Sequence, residues 1–396
     1  MDQEEIKLEL MKFYPELNHC MHCHLCYAAD WHRIDDWVPV CPTAARFGFE
    51  AFYSSGRIEL GRALIEETLQ EASPRFLDIL YTCTGCSACV EQCHEYSGVK
   101  IDQVDLFETM KAFCVSKGWG PLPKHLEFAQ SIAKDHNPYH ESPKDRSAWL
   151  SYELPSEAPI VYFVGCTSSY RRQEIAQATV KVLKASGIPF TILGSEEWCC
   201  GSPLIRTGQL DQVQELISHN IEVLEGLGAE RVIFSCAGCY RAFKKDYPKF
   251  GFSPPFKIEH TTQFFLNLIR NKKLNLNPLS KVVTYHDPCH LGRHTRIYKQ
   301  PRKVMKKLQV DLQEMPRTLK ESFCCGAGGG VRAAYPEFAK WAATNRLNEA
   351  LELNPMVLAS ACPFCKNNFI EAFQDFKGVS LEISDISELL AEGLNE

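Results

Sequence analysis

The chain has 396 residues, a formal net charge of −6, 45% hydrophobic and 23% charged residues, and 19 cysteines. This composition fits a globular protein of two to three domains, at roughly 100–200 residues per domain, and excludes a disordered chain. The acidic balance argues against nucleic acid and anionic membrane surfaces, both of which select basic stripes.

The opening Met1-Asp2-Gln3-Glu4-Glu5 lacks the basic-then-apolar profile of a secretory leader, and no apolar run approaches the ~18 residues of a membrane span. The expected location is the cytoplasm, or the inner face of a membrane reached through a partner. In a reducing compartment, clustered cysteines read as metal ligands rather than disulfides.

Residues 1–134 read as the first domain. Its cysteines form two runs, Cys20, Cys23, Cys26 with Cys41, and Cys83, Cys86, Cys89 with Cys93. The spacing follows two-cluster ferredoxins, in which the fourth cysteine of each run serves the other cluster. Cys93 is therefore assigned with Cys20, Cys23 and Cys26, and Cys41 with Cys83, Cys86 and Cys89, giving two cubane [4Fe–4S] sites. The first run departs from the pattern by a long gap before Cys41, and the second by His94 in place of proline. A structural zinc site would leave the third cysteine of each run superfluous. Cys20-Met21-His22-Cys23-His24 matches a c-type haem attachment sequence, but Cys26 continues the series and no export signal accompanies it. His22, His24, His32 and His94 read as hydrogen-bonding surface groups. Between the runs, the apolar spacing over Arg57–Leu69 predicts an amphipathic helix.

Residues 135–158 are polar and proline-rich, with Pro138, Pro143 and Pro155, and read as a linker. Beyond them the chain repeats itself, as domains 159–275 and 276–396. Cys166, Cys199, Cys200, Cys236 and Cys239 recur in order as Cys289, Cys324, Cys325, Cys362 and Cys365. Strand-like runs precede the cysteines: Ile160–Gly165, Arg231–Ser235, Lys281–Tyr285 and Met356–Ala359. Helical patterns fill the spaces, as in Gln173–Ala185 and Leu210–Gly226. Strand, cysteine loop, helix and strand is the grammar of an open α/β sheet, whose sites gather beyond the carboxyl ends of the strands.

Gly201 and Gly326 follow the adjacent cysteines, where glycine lets the backbone pass close to a bulky inorganic core. The run Gly326-Ala327-Gly328-Gly329-Gly330 lacks the lysine of a phosphate-binding loop. Cys362-Pro363-Phe364-Cys365 alone would suggest a thioredoxin-type pair, but three further cysteines at matched spacing outweigh that reading. Cys114, the remaining cysteine, reads as a small buried hydrophobe.

The doubled five-cysteine pattern, with Cys199-Cys200-Gly201 and Cys324-Cys325-Gly326, resembles the cysteine-rich CCG domain. The whole chain is similar to the heterodisulfide reductase family of D-type subunits, and to iron–sulfur subunits of glycolate oxidase and class II benzoyl-CoA reductase complexes. Tyr285-His286-Asp287-Pro288-Cys289-His290-Leu291-Gly292-Arg293 and Phe323-Cys324-Cys325-Gly326-Ala327-Gly328-Gly329-Gly330 carry the likeness. The resemblance implies an α-helical ferredoxin-like N-terminal domain followed by two duplicated α/β (Rossmann-like) CCG domains. It also implies a noncubane [4Fe–4S] cluster on all five cysteines of each repeat, with a small disulfide cleaved between the two.

Two functions follow as expectations. In one, electrons cross the cubane clusters to the noncubane pair and reduce a disulfide, with His286, His290 and His294 as proton donors. Asp287 and Arg293 or Arg296 would then orient or bind anionic substrate groups. In the other, the chain is an electron relay between a flavoprotein and a quinone, membrane or reductase partner. The sequence holds no flavin or nicotinamide fingerprint, so either role requires a flavoprotein or other redox subunit.

Overall fold

A computed structural model describes residues 2–28 and 38–395. His32 lies outside the described residues. The chain forms two compact units: Met1–Ala129 with Pro203–Val213 and Pro316–Arg346, and Gln130–Ser202 with Gln214–Met315 and Leu347–Glu396.

The first unit is built on helices Gln3–Met11, Ser54–Ile65, Pro74–Tyr81 and Gln103–Ser116. Among the described residues, no strand occurs before Ile160, only an isolated antiparallel bridge between Ala28 and Pro39. Ser73 caps the third helix by accepting from Phe76 N, with Pro74 at its first position, and Asp102 caps the fourth by accepting from Asp105 N. Ile58, Leu64, Leu80, Leu106, Phe107 and Met110 pack together as the core. The helix expected over Arg57–Leu69 begins earlier and stops at Ile65. There Glu67 turns left-handed (φ 55°), and the N–H groups of Thr68 and Leu69 fold back onto Ala63 O. Cys114 is fully buried in this core.

The second unit holds two four-stranded parallel sheets. In the first, β1 (Ile160–Phe163), β2 (Phe190–Ile192), β3 (Arg231–Phe234) and β4 (Lys257–His260) stand in the order β2-β1-β3-β4. In the second, β5 (Val282–Tyr285), β6 (Asp311–Gln313), β7 (Val357–Ser360) and β8 (Glu382–Asp385) repeat that order as β6-β5-β7-β8. The central strands β1 and β7 are buried throughout, as parallel sheets covered on both faces require.

The two copies embrace through equivalent helices. Helix Gln173–Ala185, between β1 and β2, packs on Ile386–Glu392, which follows β8; helix Thr261–Arg270, which follows β4, packs on Lys299–Lys307, between β5 and β6. Each copy thus offers the other the same two surfaces, the arrangement of a two-fold dimer.

Candidate metal centres

In the first unit, Cys20, Cys23, Cys26 and Cys93 line one cavity with Ser54, Ser55 and Ile58. His22 (φ 50°) and His24 (φ 61°) are both left-handed, and these turns coil the loop so that its three cysteines share one interior. The imidazoles themselves bond outward. His22 meets Glu50 at 2.9 Å and Glu59 at 3.2 Å, while His24 meets Tyr53 and Glu50, each at 3.2 Å. The hydrogen bond to Glu50 holds the His22 imidazolium above its ordinary range. His94 Nε2 lies 3.2 Å from Ile101 O. Cys23 is exposed, whereas Cys26 is buried and its thiol is pushed up to about 12 by that burial.

Cys41 caps helix Pro42–Phe47, with its Sγ 3.2 Å from Thr43 Oγ1. It lies close to thiols of both runs, acting on Cys26 and on Cys86, and burial first, then the thiols of Cys83, Cys86, Cys41 and Cys26, drives Cys89 far above its ordinary range. Two buried cations stand beside this group. Arg57 donates to Ile79 O at 2.9 Å, and to Thr43 Oγ1 and Thr82 Oγ1 at 3.4 Å each. Lys111 donates to the main-chain oxygens of Cys83, Arg206 and Gly329, and burial lowers its pKa to about 8. Among the described residues, no carboxylate pairs with either. Packed thiols resist ionisation and buried cations demand an anion, so both features fit a metal centre held by thiolates.

In the second unit, the first five-cysteine set is entirely buried. Cys166 follows β1 and begins helix Cys166–Tyr170; Cys236 follows β3 and caps helix Ala237–Arg241, with Cys239 one turn on. Cys199 donates to Cys166 and Cys200, and Cys239 donates to Cys200 and Cys236. At Gly165 (φ 79°) an added Cβ would stand 3.2 Å from Cys239 Sγ, so only glycine lets the chain pass this thiol without displacing it.

Arg146 and Glu197 complete the set, and neither is marked in the sequence. Their ion pair measures 2.6 Å and is fully buried. Glu197 also accepts from Val164 N (2.7 Å) and Gly165 N (2.8 Å), fixing the turn before Cys166. Arg146 reaches Cys166 Sγ at 3.4 Å and His136 O at 3.3 Å. The Cys166 thiol is held below its ordinary range, first by its hydrogen bond with Cys199 and then, against burial, by Arg146.

In the second repeat, Cys289 follows β5, and Cys362 follows β7 and caps helix Pro363–Phe373, with Cys365 behind it. Cys324 and Cys325 are buried in the other unit. Cys362 donates to Cys236, which pushes the Cys362 thiol up to about 12; Cys236, accepting from Cys239 and then Cys362, falls well below its ordinary range. These two cysteines occupy the same position in their repeats. A residue that touches its own counterpart lies on the two-fold relation between the copies.

His290 and His294 sit together, rings 4.8 Å apart, with Arg241 Nη1 3.3 Å from His290 Nε2. His286 is buried against Phe369. Asp287 accepts from Arg302 through two hydrogen bonds of 2.7 and 2.8 Å. Arg293 is buried as well. Gly201 (φ 76°) and Gly326 (φ 87°) are both left-handed, but a Cβ on Gly326 would strike Ala342 Cβ at 2.6 Å and Ala339 O at 2.8 Å. A Cβ on Gly328 would meet Thr84 O at 2.7 Å, so this run makes room for protein backbone.

The chain matches the cysteine-rich domain called CCG over residues 160–244 and 283–370, and a 4Fe-4S dicluster domain over residues 16–96. It is 40% identical over 401 residues to the D-type subunit of dihydromethanophenazine:CoB–CoM heterodisulfide reductase from Methanosarcina barkeri, covering 96% of this chain and 94% of that protein. The corresponding protein of Methanosarcina acetivorans is 43% identical over 83% of this chain and 81% of its own length. The B-type subunit of fumarate reductase (CoM/CoB) from Methanothermobacter marburgensis is 32% identical, over 78% of this chain and 61% of that protein. No helix among the described residues is long and apolar enough to cross a membrane.

Proposed function

Because the chain belongs to the family of heterodisulfide reductase D-type subunits, we propose that it delivers electrons through two cubane clusters to a noncubane pair that reduces a small disulfide. It is an iron–sulfur subunit of an oxidoreductase. Cys20, Cys23, Cys26 and Cys93 hold one cubane cluster, and Cys41, Cys83, Cys86 and Cys89 the other. Cys166, Cys199, Cys200, Cys236 and Cys239 hold the first noncubane cluster. Cys289, Cys324, Cys325, Cys362 and Cys365 hold the second by their correspondence in sequence. The domains divide as 1–134, 159–275 and 276–396, with 135–158 joining them.

When bound, such clusters carry single electrons and offer an electrophilic metal to sulfur. The protein's part is to bury the thiolates, neutralise them and manage protons. Reductive cleavage consumes two electrons and two protons and releases two thiols. The electrons come from a flavoprotein or other redox subunit, through which the chain also reaches a membrane. His290 and His294, adjacent to one another and to Cys289 in sequence, are placed to hold a proton for a departing sulfur.

The observation that supports this reading is the contact of Cys236 with Cys362, which joins the two repeats at equivalent cysteine positions. The test is the paramagnetic resonance spectrum of the oxidised protein with and without a thiol such as coenzyme M. A new thiol-dependent signal is expected. Its absence from protein with a full complement of iron would favour the relay function instead.

A further inference from the structure

The two cubane sets stand in opposite electrostatic surroundings. Beside Cys41, Cys83, Cys86 and Cys89, Arg57 is 1% exposed and Lys111 2%. Thr43 Oγ1 accepts from Arg57 and lies 3.2 Å from Cys41 Sγ, while Lys111 reaches the carbonyl of Cys83 itself. Glu108, the carboxylate that bears on Lys111, has both oxygens on Arg206, at 2.6 and 2.7 Å. The other set includes the exposed Cys23, and its charged neighbours Glu50, Glu59 and His22 are partly exposed and paired with one another. Water screens charges of that kind.

We propose that Arg57 and Lys111 raise the reduction potential of the cluster on Cys41, Cys83, Cys86 and Cys89 above that of the cluster on Cys20, Cys23, Cys26 and Cys93, so that electrons run from the exposed set to the buried one. Reduction adds a negative charge to a cluster. Burial alone opposes that, as it opposes ionisation of these same thiols. Two cations in a low-dielectric interior, with the nearby Glu108 engaged by Arg206, act the other way and at greater strength than screened surface charges. Lys111 also bonds to Arg206 O and Gly329 O, in the segments that follow the two Cys-Cys-Gly motifs. The charge therefore sits where both repeats contribute chain to this unit.

The inference rests on the cluster assignment proposed above, and one experiment separates the two. The protein with its clusters is titrated anaerobically while its paramagnetic resonance spectrum is followed. In Lys111→Met and Arg57→Met the higher cubane midpoint is expected to fall while the lower stays, and Lys111→Arg is expected to keep the wild-type value. Unmoved midpoints, or a shift of the lower one, would overturn the inference. Should the buried-cation variants fail to take up iron, Cys23→Ala decides. Loss of this ligand is expected to remove the lower midpoint, and survival of the lower with loss of the higher overturns the order. Absence of two cubane signals from the wild type would remove the cluster assignment itself, and the potential order with it.

Discussion

Arg146 belongs to a proline-rich stretch with no periodicity, and Glu197 precedes Cys199 without any motif of its own. Neither was legible in the sequence, because a buried ion pair is defined by a partner distant along the chain. The eighteen clustered cysteines were legible, since metal ligation imposes local spacing. Removing one member of a buried pair leaves the other charge stranded. Arg146→Met is therefore expected to destabilise the protein by about 3–5 kcal/mol, measured by denaturant unfolding. The double variant Arg146→Met with Glu197→Leu should lose less than the sum of the single variants, as a double-mutant cycle would read. Additive losses would mean that the pair is not coupled. Arg146→Lys should restore part of the stability but not the contact to Cys166, because lysine lacks the planar fork that reaches three acceptors at once.

The ends of β4 and β8 do one task with different chemistry. His260 caps helix Thr261–Arg270 and Asp385 caps helix Ile386–Glu392, both with a capping box and both buried. Burial lowers His260 to about 3 and raises Asp385 to about 7. The folded state therefore refuses a proton at His260 that the unfolded chain takes up below 6.5. Stability at this site is full above pH 6.5 and falls as pH drops towards 3. At Asp385 the folded state keeps a proton that the unfolded chain sheds above 3.8. Its stabilisation is full below that value and is lost as pH rises through 7. Each limb has a slope of at most about 1.4 kcal/mol per pH unit. His260→Asn should thus raise the melting temperature at pH 5 relative to that at pH 7, whereas Asp385→Asn should raise it at pH 8 relative to pH 5. Parallel pH profiles for both variants and the wild type would refute the assignment. The strands that carry these caps were also the hard ones to read. The central β1, β3, β5 and β7 are apolar runs, but β4 (Lys-Ile-Glu-His) and β8 (Glu-Ile-Ser-Asp) are short, polar edges held by pairing rather than by composition.

At the scale of the molecule, the repeat was visible in cysteine spacing, yet the reciprocal packing of Gln173–Ala185 on Ile386–Glu392 and of Thr261–Arg270 on Lys299–Lys307 was not. Periodicity marks which face of a helix is apolar but not which partner covers it. Because Cys236 and Cys362 meet, Cys236→Ser is expected to disturb the resonance signals of the clusters proposed for both five-cysteine sets. Cys166→Ser, at a position away from that contact, should disturb one only. Equal effects of the two substitutions would count against the shared axis. The reciprocal packing has a historical consequence too. Two identical chains would build the same embrace as a homodimer, in which every substitution appears twice and the residue on the axis always faces itself. Joining the copies through the segment between helix Thr261–Arg270 and β5 lifts that constraint. One half is then free to keep a histidine where the other keeps an aspartate, and to place Arg146 beside one cysteine while histidines gather after the other. A single chain built from two copies can therefore surround its two cysteine sets with different side chains, which two identical chains cannot do.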